Sequence, residues 1–154
     1  MKPICILLVT MICLLGTSSA QRASKSRLVG NLMGKNLVDG CGCEFQFRGT
    51  KRNSEKYMFA ESIEGKNSSP WMNIDGRDVV LRVIKDWKPG KERVGSRSVR
   101  TFAAAGTSVT ATFIATRVCA AADESCESSD YNATFVVKKG GRVETVKAFG
   151  TCGC

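Results

Sequence analysis

The cysteines constrain the fold of this chain more than any other feature. Beyond the N-terminal segment they are, in order, Cys41, Cys43, Cys119, Cys126, Cys152 and Cys154. Six cysteines allow fifteen pairings, but a bridge within 119–126 closes a short loop, whereas a bridge between the two Cys-Gly-Cys elements closes most of the chain. The chain-entropy model gives these closures about 2.5 and nearly 5 kcal/mol. We therefore predict one local bridge and a clasp between the first and last strands.

Residues 1–20 have the three parts of a signal peptide. Lys2 precedes the apolar stretch 4–15, and Ser18 and Ala20 supply small residues before a cleavage site at Gln21. The stretch is shorter than the roughly 20 residues of a transmembrane helix, and no later segment resembles one. Because an even cysteine count favours disulfides in an oxidising compartment, we expect a secreted protein, periplasmic or extracellular.

The length and charge of the mature chain fit one basic domain. Cleavage leaves 134 residues, with 22 basic and 14 acidic side chains and a net charge of +8, enough for a single core. Residues 21–40 are basic and interrupted by Gly30 and Gly34, which weaken any helix. We predict a flexible basic N-terminal arm over 21–40 and a single β domain over 41–154.

Hydrophobic residues alternate with polar ones along much of 41–154, as expected of half-buried strands. Asp75-Gly76 joins two strand-like runs, 71–74 and 77–81, and is a favoured hairpin turn. A second hairpin is predicted around Gly140-Gly141, and the threonine-rich run 107–118 is a further strand. The pattern predicts an all-β fold, an antiparallel sandwich or barrel of about seven strands stapled by disulfides.

Histidine is absent from the chain. This excludes serine–histidine and cysteine–histidine nucleophile systems and any histidine-ligated zinc. No phosphate-binding glycine loop or dinucleotide motif occurs, so we predict a protein that is not an enzyme and has no cofactor or metal. The alternative is a thiol-redox or soft-metal protein, since reduced Cys-Gly-Cys pairs would present soft thiolate ligands and a bridge within one pair would be strained.

Basic residues are dense in two segments. The candidate binding residues are Arg48, Lys51, Arg52, Lys56, Lys88, Lys91, Arg93, Arg97 and Arg100. A positive surface attracts anionic polymers with a salt-sensitive affinity, although the same residues also keep an exposed sheet in solution. Nucleic acid is disfavoured as a partner because the chain carries an export signal.

Two N-glycosylation acceptors, Asn67 and Asn132, have the required sequon. Asn132 and Thr134 would share the polar face of their strand, which suits a glycan, whereas Pro70 makes the first sequon the poorer acceptor.

The segment 71–81, with Cys-Gly-Cys leading a strand upstream, resembles small exported bacterial β domains of unassigned function. The resemblance implies a periplasmic or extracellular location, in which the sequons would have no role, and it carries no functional residue. Taken together, these observations predict a non-catalytic exported module that binds an anionic polymer or a protein partner, with an inhibitor as one form of the second.

Overall fold

A computed structural model describes residues 27–34, 38, 40–51, 54–63, 69–86, 92–120, 123 and 125–154. These residues contain ten strands and no helix. The strands are β1 Val29–Gly30, β2 Gly42–Phe47, β3 Phe59–Ser62, β4 Pro70–Ile74, β5 Arg77–Val80, β6 Arg82–Lys85, β7 Arg97–Ala104, β8 Thr107–Arg117, β9 Ser128–Lys139 and β10 Arg142–Gly153.

All strands belong to one antiparallel sheet in the order β1-β4-β3-β2-β10-β9-β8-β7-β6, with β5 paired to β4. β5 and β6 are one run interrupted at Leu81, and they pair with β4 and β7 respectively. The Leu81 amide donates to the Pro70 carbonyl, so the run remains attached to β4 where its pairing passes to β7. The two ends of the strand order therefore lie close together, and the sheet is strongly curled.

The core fills the inside of this curl. Phe59 on β3 and Phe102 on β7 are five places apart in the strand order, yet their ring centres are 5.6 Å apart. Phe45 contacts Phe59 and Phe135 at 6.0 and 5.8 Å, edge to face, a favourable arrangement of aromatic rings. Period-two alternation along each strand places these rings inside and the polar residues outside.

Two predicted hairpins are confirmed. Asp75 and Gly76 both have positive φ between β4 and β5, and Gly140 and Gly141 do so between β9 and β10. Positive φ at both central residues defines the type I′ turn, whose twist matches that of the strands.

The segment 27–34 differs from the predicted arm. Leu28 and Val29 are fully buried, and Val29 pairs with Ile74 on β4. The Glu144 carboxylate accepts hydrogen bonds from both backbone amides, and Asp78 accepts from those of Met33 and Gly34. The core thus begins before Cys41, because this short apolar stretch closes one end of the curled sheet.

Both predicted kinds of disulfide occur. Cys41 pairs with Cys154, Cys43 with Cys152, and Cys119 with Cys126. The first two join β2 to β10 at the register in which Cys43 lies opposite Cys152. The glycine between the first two cysteines has a specific role, because a Cβ on Gly42 would lie 2.5 Å from the Glu61 carbonyl oxygen.

The predicted all-β, antiparallel and disulfide-bonded class is confirmed, with ten strands in place of about seven. Two of the additional strands are the two-residue β1 and the one created by the break at Leu81. Within the described ranges, no helix has the length and apolar character needed to cross a bilayer.

Candidate functional site

The outward side of β2, β10, β9, β8 and β7 is a broad polar surface. One cross-strand row runs through Gln46, Phe149, Asn132, Ile114 and Arg97, each paired in register with the next. We call this side the outer face. Successive strands are about 4.8 Å apart, so residues far apart in the sequence become close neighbours here.

A groove of about 750 Å³ lies on the outer face, over β2, β10 and β9. Its lining includes the side chains of Glu44, Arg48, Tyr57, Arg117, Asn132 and Phe149. Phe149 lies in the middle of its row, between Gln46 and Asn132, and Tyr57 comes from the connection that follows β2. An aromatic floor with polar and cationic groups beside it suits a ligand that has flat, polar units.

Arg48 and Lys147 lie opposite each other across β2 and β10. The Arg48 amide donates to the Lys147 carbonyl at 2.9 Å, one residue beyond the paired Phe47 and Ala148. Both side chains are exposed, and among the described residues neither forms an ion pair with a carboxylate. Like charges directly opposite on a sheet are destabilising, so this pair reduces stability unless an anion lies between them.

The other predicted basic residues of the first segment add positive charge at this end of the groove. Lys51 and Lys56 are exposed in the connection after β2. At the opposite end, Arg117 forms a two-pronged ion pair with Asp130 at 2.9 and 3.2 Å, and the hydrogen bond to Asp130 raises the pKa of Arg117. The unpaired positive charge is therefore concentrated near Arg48.

Two neutral polar groups complete the groove. Burial, followed by the charge and the hydrogen bond of Glu44, raises the pKa of Tyr57, so its phenol remains protonated and is held by the Glu44 carboxylate. Gln46 is buried, and its Nε2 donates to the Ser54 carbonyl, while its Oε1 has no partner among the described atoms. An unpaired buried acceptor is costly.

The basic residues of the second predicted segment lie in two different environments in the structure. Arg93 and Arg97 are exposed, and Arg97 lies on the outer face. Arg100 instead points into the curled sheet and binds the Glu61 carboxylate through both terminal nitrogens, one of them at 2.8 Å. The prediction that Arg100 belongs to an exposed basic patch is therefore wrong, because strand alternation places this residue on the inner side of β7.

Asn132, the second predicted glycan acceptor, is exposed on the outer face and lines the groove. Thr134 lies on the same side of β9, as expected. Four other predicted residues, namely Arg52, Asn67, Lys88 and Lys91, lie outside the described residues.

A smaller pocket of about 330 Å³ opens at the end of the curl that holds Cys43–Cys152; we call it the mouth pocket. Its apolar lining includes Phe45, Phe59, Phe113 and Tyr131. Its polar lining is Glu61, Ser62, Asp86, Ser98 and Arg100. The Nε of Arg100 lies 2.8 Å from an Asp86 oxygen. Burial alone would lower the pKa of Arg100, but the hydrogen bond and charge of Glu61 raise it.

Comparison with family models, curated proteins and solved structures yields no match to this chain. Within the described ranges, no cluster of three or more histidine, cysteine or acidic residues has the arrangement of a metal site. The thiols of the alternative hypothesis are paired between the two Cys-Gly-Cys elements rather than within them; thiol or metal chemistry after reduction stays a prediction.

Sequence reasoning missed Lys147, Phe149 and Tyr57, and with them most of the groove. The local sequence around Lys147 is an ordinary alternating strand, and only the β2–β10 register brings it to Arg48. The pairing of the two Cys-Gly-Cys elements was the available signal, since it implies adjacent strands whose registers can be counted outward from the cysteines.

Proposed function

We propose that this protein is an exported, non-catalytic binding module that holds an anionic polymer along the outer face. The observation that carries the proposal is the opposed, uncompensated pair Arg48 and Lys147 beside the groove. A bound sulfate, phosphate or carboxylate between them would replace their repulsion with two charge-assisted hydrogen bonds.

The remaining groove favours a polymer whose units also carry rings and hydroxyls. Phe149 provides an apolar surface at the floor. Asn132 and Tyr57 add a carboxamide and a phenol within the same lining. An acidic or sulfated polysaccharide matches these groups better than a featureless polyanion does.

The experiment measures binding of dextran sulfate to the mature, disulfide-intact protein over a series of salt concentrations, with uncharged dextran as the neutral polymer. The Arg48→Gln/Lys147→Gln double variant is expected to weaken binding about tenfold and to reduce the slope of log affinity against log salt by about two. Both losses follow from the removal of two cation contacts.

The matched control is Arg77→Gln/Arg82→Gln, which removes the same charge from exposed positions on β5 and β6. Equal losses in the two double variants would show that binding follows net charge alone and would refute the groove. Absence of dextran sulfate binding at low salt would refute the polymer proposal as a whole. Phe149→Ala separates polysaccharide from other polyanions, since it should weaken dextran sulfate binding and leave polyphosphate binding unchanged.

A further inference from the structure

The mouth pocket owes its space to a small residue at an inner position of β7. Ser98 lies opposite Phe113 of β8 and lines the pocket. The next two inner positions of β7 are occupied by Arg100 and Phe102, which are much larger. A side chain of their size at position 98 would fill the space beside Phe113, whereas serine leaves it open.

The rest of the lining suits an apolar ring system. Phe113 and Tyr131 lie 6.4 Å apart, edge to face, and Phe45 lies 5.2 Å from Phe113. Ile63 adds an exposed apolar side chain to the same lining. Ligand pockets are concave and mostly apolar, with a few fixed polar groups, and they occur at the mouths of barrel-like sheets. The volume of about 330 Å³ has room for a bicyclic molecule.

The hydroxyl of Ser98 is a polar group that such a molecule would meet. Ser98 is 9% exposed, and its Oγ has no hydrogen-bond partner among the described residues. Buried polar groups normally have a partner. Because a hydroxyl both donates and accepts, a ligand oxygen beside Ser98 would complete its hydrogen bonding.

The charged side chains of the lining are already paired with one another. The Glu61 carboxylate accepts hydrogen bonds from both terminal nitrogens of Arg100, and the Arg100 Nε lies 2.8 Å from an Asp86 oxygen. A charged ligand would therefore lose its water in this pocket without gaining an open counter-charge, which is a large cost. The lining favours a neutral molecule.

We propose that the mouth pocket is a second binding site, separate from the outer groove, for a small neutral ring molecule that carries an oxygen. The rings pack on Phe113 and Tyr131, and the Ser98 hydroxyl donates a hydrogen bond to the oxygen. The site does not depend on polymer binding at Arg48 and Lys147.

Four probes with the same bicyclic frame test the proposal: 1-indanone, indane, protonated 1-aminoindane and indane-1-carboxylate. Each is titrated into the mature, disulfide-intact protein, and the NMR shifts of the Ser98, Phe113 and Tyr131 amides report both affinity and location. We expect 1-indanone to bind about tenfold or more tightly than the amine and the carboxylate, because only these two must give up the hydration of a charge. If 1-indanone leaves these amides unshifted, or binds no better than either charged probe, the proposal is overturned.

A variant at position 98 tests the hydrogen bond. Ser98→Ala removes only the hydroxyl, so it should weaken 1-indanone binding about fivefold, as the loss of one neutral hydrogen bond allows, and leave indane binding unchanged. The matched control, Ser108→Ala, makes the same change at an exposed position on β8 and should alter neither affinity. Equal losses for the two probes in Ser98→Ala, or no loss for 1-indanone, would refute the role of Ser98.

A second variant tests the location. Ser98→Leu fills the pocket and should abolish binding of both indane and 1-indanone, whereas Ser108→Leu should retain it. Retained indane binding in a folded Ser98→Leu protein would refute the location, and if that variant does not fold, the Ser98→Ala result decides. The Arg48→Gln/Lys147→Gln variant should retain full 1-indanone affinity, so failure of the polymer proposal and failure of this one give different results.

Discussion

At the residue scale, the ion pair between Arg100 and Glu61 links β7 to β3 across the inside of the curl. The two side chains are 13% and 8% exposed. Glu61 would be an uncompensated charge without Arg100, whereas Arg100 would keep its second partner, Asp86. A buried pair is costly to break but is often replaceable as a unit. Its presence here is therefore better explained by the pocket that it borders than by stability.

We expect Arg100→Met to lower the free energy of unfolding by about 3–5 kcal/mol, because it leaves the buried Glu61 charge without its partner, and Glu61→Leu to cost less, because Arg100 keeps Asp86. The Arg100→Met/Glu61→Leu double variant should lie within about 1 kcal/mol of the original protein. Urea unfolding of all four proteins measures the coupling. Additive losses in the double variant would contradict this prediction.

Asp75 is a residue-scale source of pH dependence. Hydrogen bonds from Lys139 and Arg142, at 3.0 and 2.8 Å, lower its pKa below the ordinary value of 3.8. A carboxyl with a lowered folded-state pKa contributes stability above its unfolded-state pKa and loses it as the pH falls.

We therefore expect Asp75→Asn to be less stable than the original protein at pH 7, and the difference to vanish as the pH falls below about 3.8 toward the lowered folded-state pKa. Asparagine tolerates the positive φ of this turn position, so the substitution isolates the charge. Thermal unfolding across the pH range provides the measurement, and a difference independent of pH would contradict the assignment.

At the element scale, β2 and β10 are joined by two disulfides that close nearly the same loop. They span 113 and 109 residues of sequence. Once one bridge is closed, the other restrains only a few additional residues, so their entropic contributions overlap strongly.

In the chain-entropy model, replacing Cys41 and Cys154 by alanine, or Cys43 and Cys152, costs about 2 kcal/mol, whereas replacing all four costs about 7 kcal/mol. The Cys119→Ala/Cys126→Ala variant should add its own cost of about 2.5 kcal/mol to any of these, because its short loop is independent. Denaturant unfolding checks the pattern, and simple additivity between the two clasp bridges would contradict it.

The close approach of β2 and β10 also depends on Gly150. A Cβ at this position would lie 2.0 Å from the Glu44 carbonyl oxygen and 2.7 Å from the Phe45 ring. At Gly76 a Cβ would meet nothing within 4 Å, and only the positive φ opposes it. We expect Gly76→Ala to cost about 1 kcal/mol and Gly150→Ala clearly more, as measured by urea unfolding. Equal costs would show that β2 moves freely away from β10.

At this scale the sequence predicts the hairpin turns well, because their backbone conformation depends on residues that are neighbours in the chain. The turns at Asp75-Gly76 and Gly140-Gly141 were predictable because glycine accommodates the required backbone. The burial of Arg100 was not, since its partner Glu61 comes from a strand 39 residues earlier and alternation alone does not say which side faces inward. The sequence does not predict the burial of Leu28 and Val29, because a two-residue strand is too short to show an alternating hydrophobic pattern.

At the scale of the whole molecule, the sheet has a centre and a periphery. β8, β9 and β10 contain 11, 12 and 12 residues, and each pairs on both sides. β5 and β6 contain four residues each. Local opening is easier where fewer hydrogen bonds and buried contacts are lost.

We expect backbone amides in the middle of β9 and β10 to exchange with deuterium roughly a hundredfold or more slowly than those of β5 and β6. Hydrogen exchange of the disulfide-intact protein, followed by NMR, provides the comparison. Uniform protection over all the strands would instead indicate a single cooperative opening.

The pairing of β2 with β10 also sets the order of events during synthesis. β2 is made early, but its partner along one edge, β10, is the last of the described strands to be made, so that edge remains open while the strands between them are produced. Contacts this distant in sequence slow folding, and open strand edges favour aggregation. A chain built in this way cannot complete the described sheet before β10 has been made.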